Sequence, residues 1–107
     1  MIIVNTETVA GYEIKEMLGM AKGSIVQAKH IGKDITAAFR TLVGGEIREY
    51  SEMLTESRQK AMARMVEDAE RKGADAVVNI RFVTSQVMQG ASELLVYGTA
   101  VKLEKRE

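Results

Sequence analysis

The sequence predicts an α+β fold. One domain over residues 1–107 carries a small, mostly antiparallel sheet backed by one long helix and one short helix. Three observations lead there. Apolar residues after Gly45 recur with helical period, and the pattern stops at Gly73. Two later runs, residues 76–86 (AVVNIRFVTSQ) and 91–103 (ASELLVYGTAVKL), have the β-branched and aromatic composition of strands. Residues 12–20 (YEIKEMLGM) alternate between apolar and polar side chains, as a half-buried strand does. The length of 107 residues suits a single domain with a modest core.

Taken in order, residues 2–4 are a short apolar strand and residues 6–11 a turn or loop. In the stretch 12–20, Tyr12, Ile14, Leu18 and Met20 share one face, Glu13 and Lys15 the other, and Glu16 is an exception. Ala21, Lys22 and Gly23 read as a tight turn, with residues 24–29 as the hairpin partner. Residues 33–43 (KDITAAFRTLV) change period: Ile31, Ile35, Ala38, Phe39 and Leu42 fit a short helix, with Asp34 favourably placed near its N-terminus. Gly44 and Gly45 end that helix and turn the chain into the long one.

The long helix is the element around which the others are arranged. Ile47, Tyr50, Leu54, Ala61, Met65 and Ala69 fall on one stripe, flanked by Met62 and Val66. Glu46 and Glu49 suit the positive end of the helix dipole, Arg71 and Lys72 the negative end, and Gly73 is the left-handed stop. About 26 residues at ~1.5 Å rise give roughly 39 Å. Arg58 breaks the stripe near its middle, which implies partial burial and a specific partner. Two roles follow: a structural arginine tying the helix to a strand or a neighbouring subunit, or an anion-binding residue in a pocket. Structural ion pairs are the commoner arrangement.

After Gly73, Val78, Ile80 and Phe82 are expected on one strand face, and Asn79 and Arg81 on the other. The last strand is apolar on both faces, with Leu95, Tyr97, Val101 and Leu103 alternating with Leu94, Val96 and Ala100. Such a strand is covered on both sides. One helix covers one face, so a second subunit is the natural cover for the other. The charged residues 104–107 are expected to fray.

Composition narrows the function classes. Fifteen basic and fifteen acidic residues cancel, which removes the basic excess that drives nucleic-acid backbone binding. There are no cysteines, so disulfides, thiolate catalysis and zinc ribbons are excluded. No run approaches the ~18 apolar residues of a membrane span. The start, MIIVNTETV, lacks the basic flank of a signal peptide, and a cytoplasmic location is the expectation.

With Gly44, Gly45, Tyr50, Arg58, Ala61, GADAVVNIRF and YGTAVK in view, the chain resembles the YbjQ-like family of small bacterial and archaeal proteins, whose usual label is heavy-metal-binding. The resemblance extends to GYEIKEMLGMAKGSIVQA, FRTLVGGEIREY and GTAVKLE, and so to nearly the whole chain. It implies an α+β fold that assembles through its strands into a homo-oligomeric ring, commonly a pentamer. It supplies no catalytic residues.

The residues themselves offer little chemistry. A transition-metal site wants cysteines, histidines or clustered carboxylates. The single histidine, His30, is a weak metal ligand candidate unless symmetry gathers several copies around a ring axis. Seven methionines invite a copper reading, but Met62 and Met65 lie on or beside the helix stripe, and Met17 and Met20 are expected on opposite faces of a strand, where core filling accounts for them. No G-x-S-x-G elbow and no phosphate loop occur. Asn79, Arg81, Thr84 and Gln86 lie on or near the polar side of a strand, with Arg58 as a neighbour, and could hold a small ligand in a channel or an intersubunit cleft. The expected function is therefore a non-catalytic cytoplasmic oligomeric binding or assembly module, with Arg58, Asn79 and Arg81 as ligand-binding candidates. The alternatives are a metal-ion-binding protein with ligands gathered at subunit interfaces and an enzyme with an intersubunit site.

Overall fold

The computed structural model describes residues 1–28 and 48–107. The expected short helix at 33–43, the junction at Gly44 and Gly45, and His30 lie outside the described residues. The described elements are β1 (Ile2–Ile3), β2 (Tyr12–Ala28), α1 (Arg48–Arg71), β3 (Ala76–Met88) and β4 (Ala91–Lys105). They form a four-stranded mixed sheet in the order β1-β3-β4-β2, with α1 on one face. β2–β4 and β3–β4 pair antiparallel, while β1 runs parallel to β3.

The helix ends as its sequence predicts. Gly73 takes φ 77°, its N–H donates to Glu70 O at 2.9 Å, and the Ala74 N–H donates to Ala69 O at 3.1 Å. That pair of bonds is a Schellman stop, which satisfies carbonyls the helix leaves free. Asp75 then ties the turn to β4: its N–H donates to Val101 O, and its carboxylate accepts from the Leu103 N–H, both at 2.9 Å.

The helix sits on the sheet through small residues. Ser57, Ala61, Met65 and Ala69, four residues apart, form its buried ridge. Ala21 is buried beneath it in the same core, with Val77, Ile80, Val96 and Ala100. At Gly23 a Cβ would collide with backbone atoms of Ala61 and Met65. This corrects the tight turn expected at residues 21–23. β2 instead runs unbroken for 17 residues, and its small side chains are there for close helix contact.

The alternation within the strands is broken by bulges. The β2–β4 register shifts between Ile14 and Glu16 and again between Met17 and Gly19. The shift at Glu16 explains why that residue does not fit the pattern. Met17 pairs with Val101 and Met20 with Thr99, so the two methionines share a face rather than opposing one another, and both are exposed, at 75% and 61%. Core filling does not account for either. In β3, Asn79 adopts φ 55° and the register slips between Val78 and Arg81. Val78 therefore faces away from the helix, while Ile80 joins the helix-side core. The single apolar face expected for Val78, Ile80 and Phe82 is replaced by two.

The second face is partly covered by the chain itself. Val9 packs with Ala76, Val78 and Val101, and Tyr12, Ile14 and Leu103 border that cluster. The cover stops halfway: from Arg81 to Met88, every residue of β3 is exposed. The C-terminus does not fray at 104, since β4 reaches Lys105 and the Arg106 N–H donates to Gly11 O at 2.9 Å.

Candidate functional site

The helix lies mainly over β2 and β4 and touches β3 little. Beside its buried ridge runs the row Leu54, Arg58, Met62 and Val66, which leans toward β3. The space left between this row and the β3 side is a groove made of two adjoining hollows. One, of about 480 Å³, is lined by Ile3, Val4, Asn5, Met62, Ile80, Arg81 and Phe82. The other, of about 400 Å³, is lined by Arg58, Gln59, Met62, Ala63 and Phe82. Met62 and Phe82 belong to both and join them.

The groove gathers two of the three residues singled out from sequence. Arg81 stands at one end, where one guanidinium nitrogen donates to Asn5 O at 3.1 Å and to Ile80 O at 2.9 Å. Arg58 stands at the other end and is exposed, which corrects the partial burial expected of it. The reason is local: the helix row that carries Arg58 points over the part of the sheet that α1 leaves bare. Asn79 lines neither hollow. Its part is conformational, since its left-handed backbone lets its N–H donate to Thr6 O at 2.9 Å beside β1. Thr84 and Gln86 are exposed farther along β3. Sequence reasoning missed Met62, Ile3 and Val4 as groove residues and placed Phe82 on one strand face with Val78 and Ile80, whereas Phe82 is 44% exposed in the groove.

A different arrangement occupies the β2 edge. There the Asp68 carboxylate accepts from the Lys22 N–H at 3.0 Å, and Arg64 donates to Ser24 O at 2.6 Å. Asp68 also binds Lys72 at 2.9 Å, with Arg71 at 3.5 Å. The Lys72 hydrogen bond, then the Lys22 N–H, hold the Asp68 carboxyl below its ordinary value. Ser57 donates to Met53 O at 2.8 Å and accepts from the Gln27 amide, joining the helix to the same strand. At the far end of β2, the Glu104 hydrogen bond raises the Lys15 ammonium's pKa.

Among the described residues, the groove lining holds two guanidiniums, two amides and apolar side chains, and no carboxylate, imidazole or hydroxyl. These described side chains can bind a ligand, and none of them is suited to general base or nucleophilic work. Among the described residues there is no cluster of three or more His, Cys, Asp or Glu residues able to hold a metal ion. None of the described helices is long and apolar enough to cross a membrane.

A profile of the YbjQ family, described as "Putative heavy-metal-binding", matches residues 1–104. The chain belongs to the YbjQ-like family. A UPF0145 protein from Methanosarcina acetivorans is 64% identical over 106 residues, covering 99% of this chain and 100% of the relative. Another from Thermosipho africanus is 63% identical, covering 98% of this chain and 97% of that one. The crystal structure of a protein of unknown function from Pediococcus pentosaceus, of the DUF74 family, superposes with a TM-score of 0.54 at 20% identity. That match covers 97% of this chain and 98% of the other. At such identity the likeness extends to the fold alone. This chain and that neighbour thus share the fold, and the family's description points to metal without supplying a ligand set among the described residues.

Proposed function

We propose that this protein is a non-catalytic assembly and binding module that works as a cytoplasmic homo-oligomeric ring, a pentamer as the family resemblance implies. The observation that carries this reading is the bare upper part of β3. Residues 82–88 are all exposed, and among them Phe82, Val83, Val87 and Met88 are large and apolar. β1 and the backbone from Val4 to Thr6 accompany β3 only as far as Ile80. Beyond that point, no strand among the described residues pairs with its outer edge. An uncharged, apolar edge without proline is a template for pairing with another chain. Met17, Met20 and Val26 add exposed apolar surface on β2, at the opposite edge of the sheet. Two different apolar surfaces, the bare β3 edge and these β2 side chains, favour a head-to-tail contact, which closes into a ring when the rotation allows.

Light scattering on the purified protein tests this. A mass several times 11.8 kDa is expected. A clean monomer at low micromolar concentration would overturn the ring. Val87→Lys, which places a charge in the bare stretch, is expected to lower the mass while leaving the helical circular dichroism intact.

A further inference from the structure

Beyond assembly, we infer that the groove joined by Met62 and Phe82 is a binding site for an unbranched alkyl carboxylate. The tail lies on the apolar floor, and the carboxylate is held at the arginine rim.

The charge argument comes first. The chain as a whole is balanced at fifteen basic and fifteen acidic residues, yet no acidic side chain among the described residues lines either hollow while each is lined by an arginine. Arg81 donates only to neutral carbonyl oxygens, Asn5 O and Ile80 O. Arg58 makes no hydrogen bond or ion pair among the described residues. Among the described residues, two guanidinium charges are therefore uncompensated over one groove. A planar guanidinium matches a carboxylate with two parallel N–H···O bonds, which fits this anion better than a point-charge cation would. The carbonyl bonds already fix the Arg81 head, so little freedom is lost when an anion arrives.

Shape and apolarity set the rest of the ligand. The floor is Ile3, Val4, Ile80, Met62 and Phe82, and the hollow they border is about 480 Å³, within the range of small-molecule sites. Met62 adapts its shape to a chain, and the exposed Phe82 ring gives it a flat bed. The groove is open and runs through two hollows joined at Met62 and Phe82, which suits a thin flexible chain more than a compact ring system. Among the described residues, the only neutral polar side chains in it are Asn5 and Gln59, too few to hold a polyhydroxylated ligand.

Titration calorimetry with decanoate, below its micelle concentration, on the protein as purified tests the site. Saturable binding at one decanoate per chain is expected. In the series hexanoate, octanoate, decanoate, each added methylene that reaches the floor should tighten binding up to about fourfold. Arg58→Gln and Arg81→Gln should each weaken decanoate by about tenfold. Arg71→Gln, remote from the groove, should leave it unchanged, and Phe82→Ser should flatten the dependence on chain length. Light scattering and circular dichroism on the same samples keep fold and mass as separate readouts, so loss of the ring and loss of the site are told apart. Several outcomes overturn the proposal: no saturable heat with decanoate, equal binding of decyltrimethylammonium, or parent-like affinity in both arginine variants. So does tight binding of a peptide with a free apolar C-terminus by a protein that ignores decanoate.

Discussion

Along the β2 edge, the helix comes down onto the strand. Gly23 lies against helix backbone, the Lys22 N–H is taken by Asp68, and Ser24 O is taken by Arg64. Along the outer edge of β3 from residue 82 onward, no strand or helix side chain among the described residues takes the outward-facing backbone groups, and the side chains on both faces are exposed. Both are edges of one sheet, each next to apolar residues. The first is closed by side chains from within the chain, which is how natural sheets discourage unwanted pairing. The second has no such guard, and it also borders the arginine-rimmed groove. A chain that guards one edge in this way and leaves the other bare directs any partner toward β3.

The largest effect expected from disturbing this contrast is at Gly23. A Cβ there would meet Ala61 O and Met65 N, and both are backbone atoms of a regular helix that cannot step aside. Gly23→Ala should lift α1 off β2 and destabilise the fold by about 3 kcal/mol, at the upper end of ordinary overpacking. Thermal unfolding should fall by on the order of 10 °C. Val83→Ala, on the open edge, should shift the unfolding of the chain itself by less than ~0.5 kcal/mol. Similar melting temperatures for parent and Gly23→Ala would mean that the helix is not seated on the strand as described.

A middle-sized effect is expected at Asp68, the acceptor for the guarded edge. Asp68→Asn weakens the bonds to Lys22 and Lys72 and should cost about 1 kcal/mol at neutral pH. The pH dependence has a definite sign. The Asp68 carboxyl is held below its ordinary value by Lys72, then by the Lys22 N–H, with the Lys72 and Arg71 charges adding to this. Its contribution is therefore fully present above the unfolded-state value of about 3.9 and is lost as pH falls through the lower folded-state value. The stability gap between parent and variant should be widest at neutral pH and close in acid. It should also narrow in high salt, because the group is near the surface. A gap that grows on acidification would contradict the assignment.

These particulars also indicate how far the sequence was legible. The long helix and its stop were plain, because a 3.6-residue period ending in Arg-Lys-Gly has few other readings. The family was plain for the same reason: its motifs extend along the chain. Gly23 was misread because a small residue serves a turn and a close contact equally well, and the choice depends on a helix forty residues away. The β3 faces were misread because one residue, Asn79, takes a left-handed conformation. Asn tolerates that conformation, but nothing in AVVNIRF marks the slip. The groove was not legible as a whole, since it joins residues 3–5, 58–63 and 80–82, and only Arg58 and Arg81 stood out as charges in apolar or strand contexts.

The smallest effect is expected at Arg58, where sequence and structure part most clearly. An arginine in mid-stripe predicts a buried partner, and losing one partner of a buried pair costs on the order of 3–5 kcal/mol. In the folded chain the side chain is instead exposed over the open groove, with water available to its guanidinium. Arg58→Met keeps most of the stem and removes the charge, so packing is preserved while electrostatics are tested. The variant should unfold within ~0.5 kcal/mol of the parent. A loss of several kcal/mol that depends on protein concentration would place a carboxylate from another copy against Arg58, drawing the groove into the interface. A neutral result, combined with weaker decanoate binding, would assign the residue to the ligand. Folding and ligand affinity respond oppositely in the two cases, so one substitution measured both ways decides whether the open side of the sheet faces a subunit or a small molecule at this position.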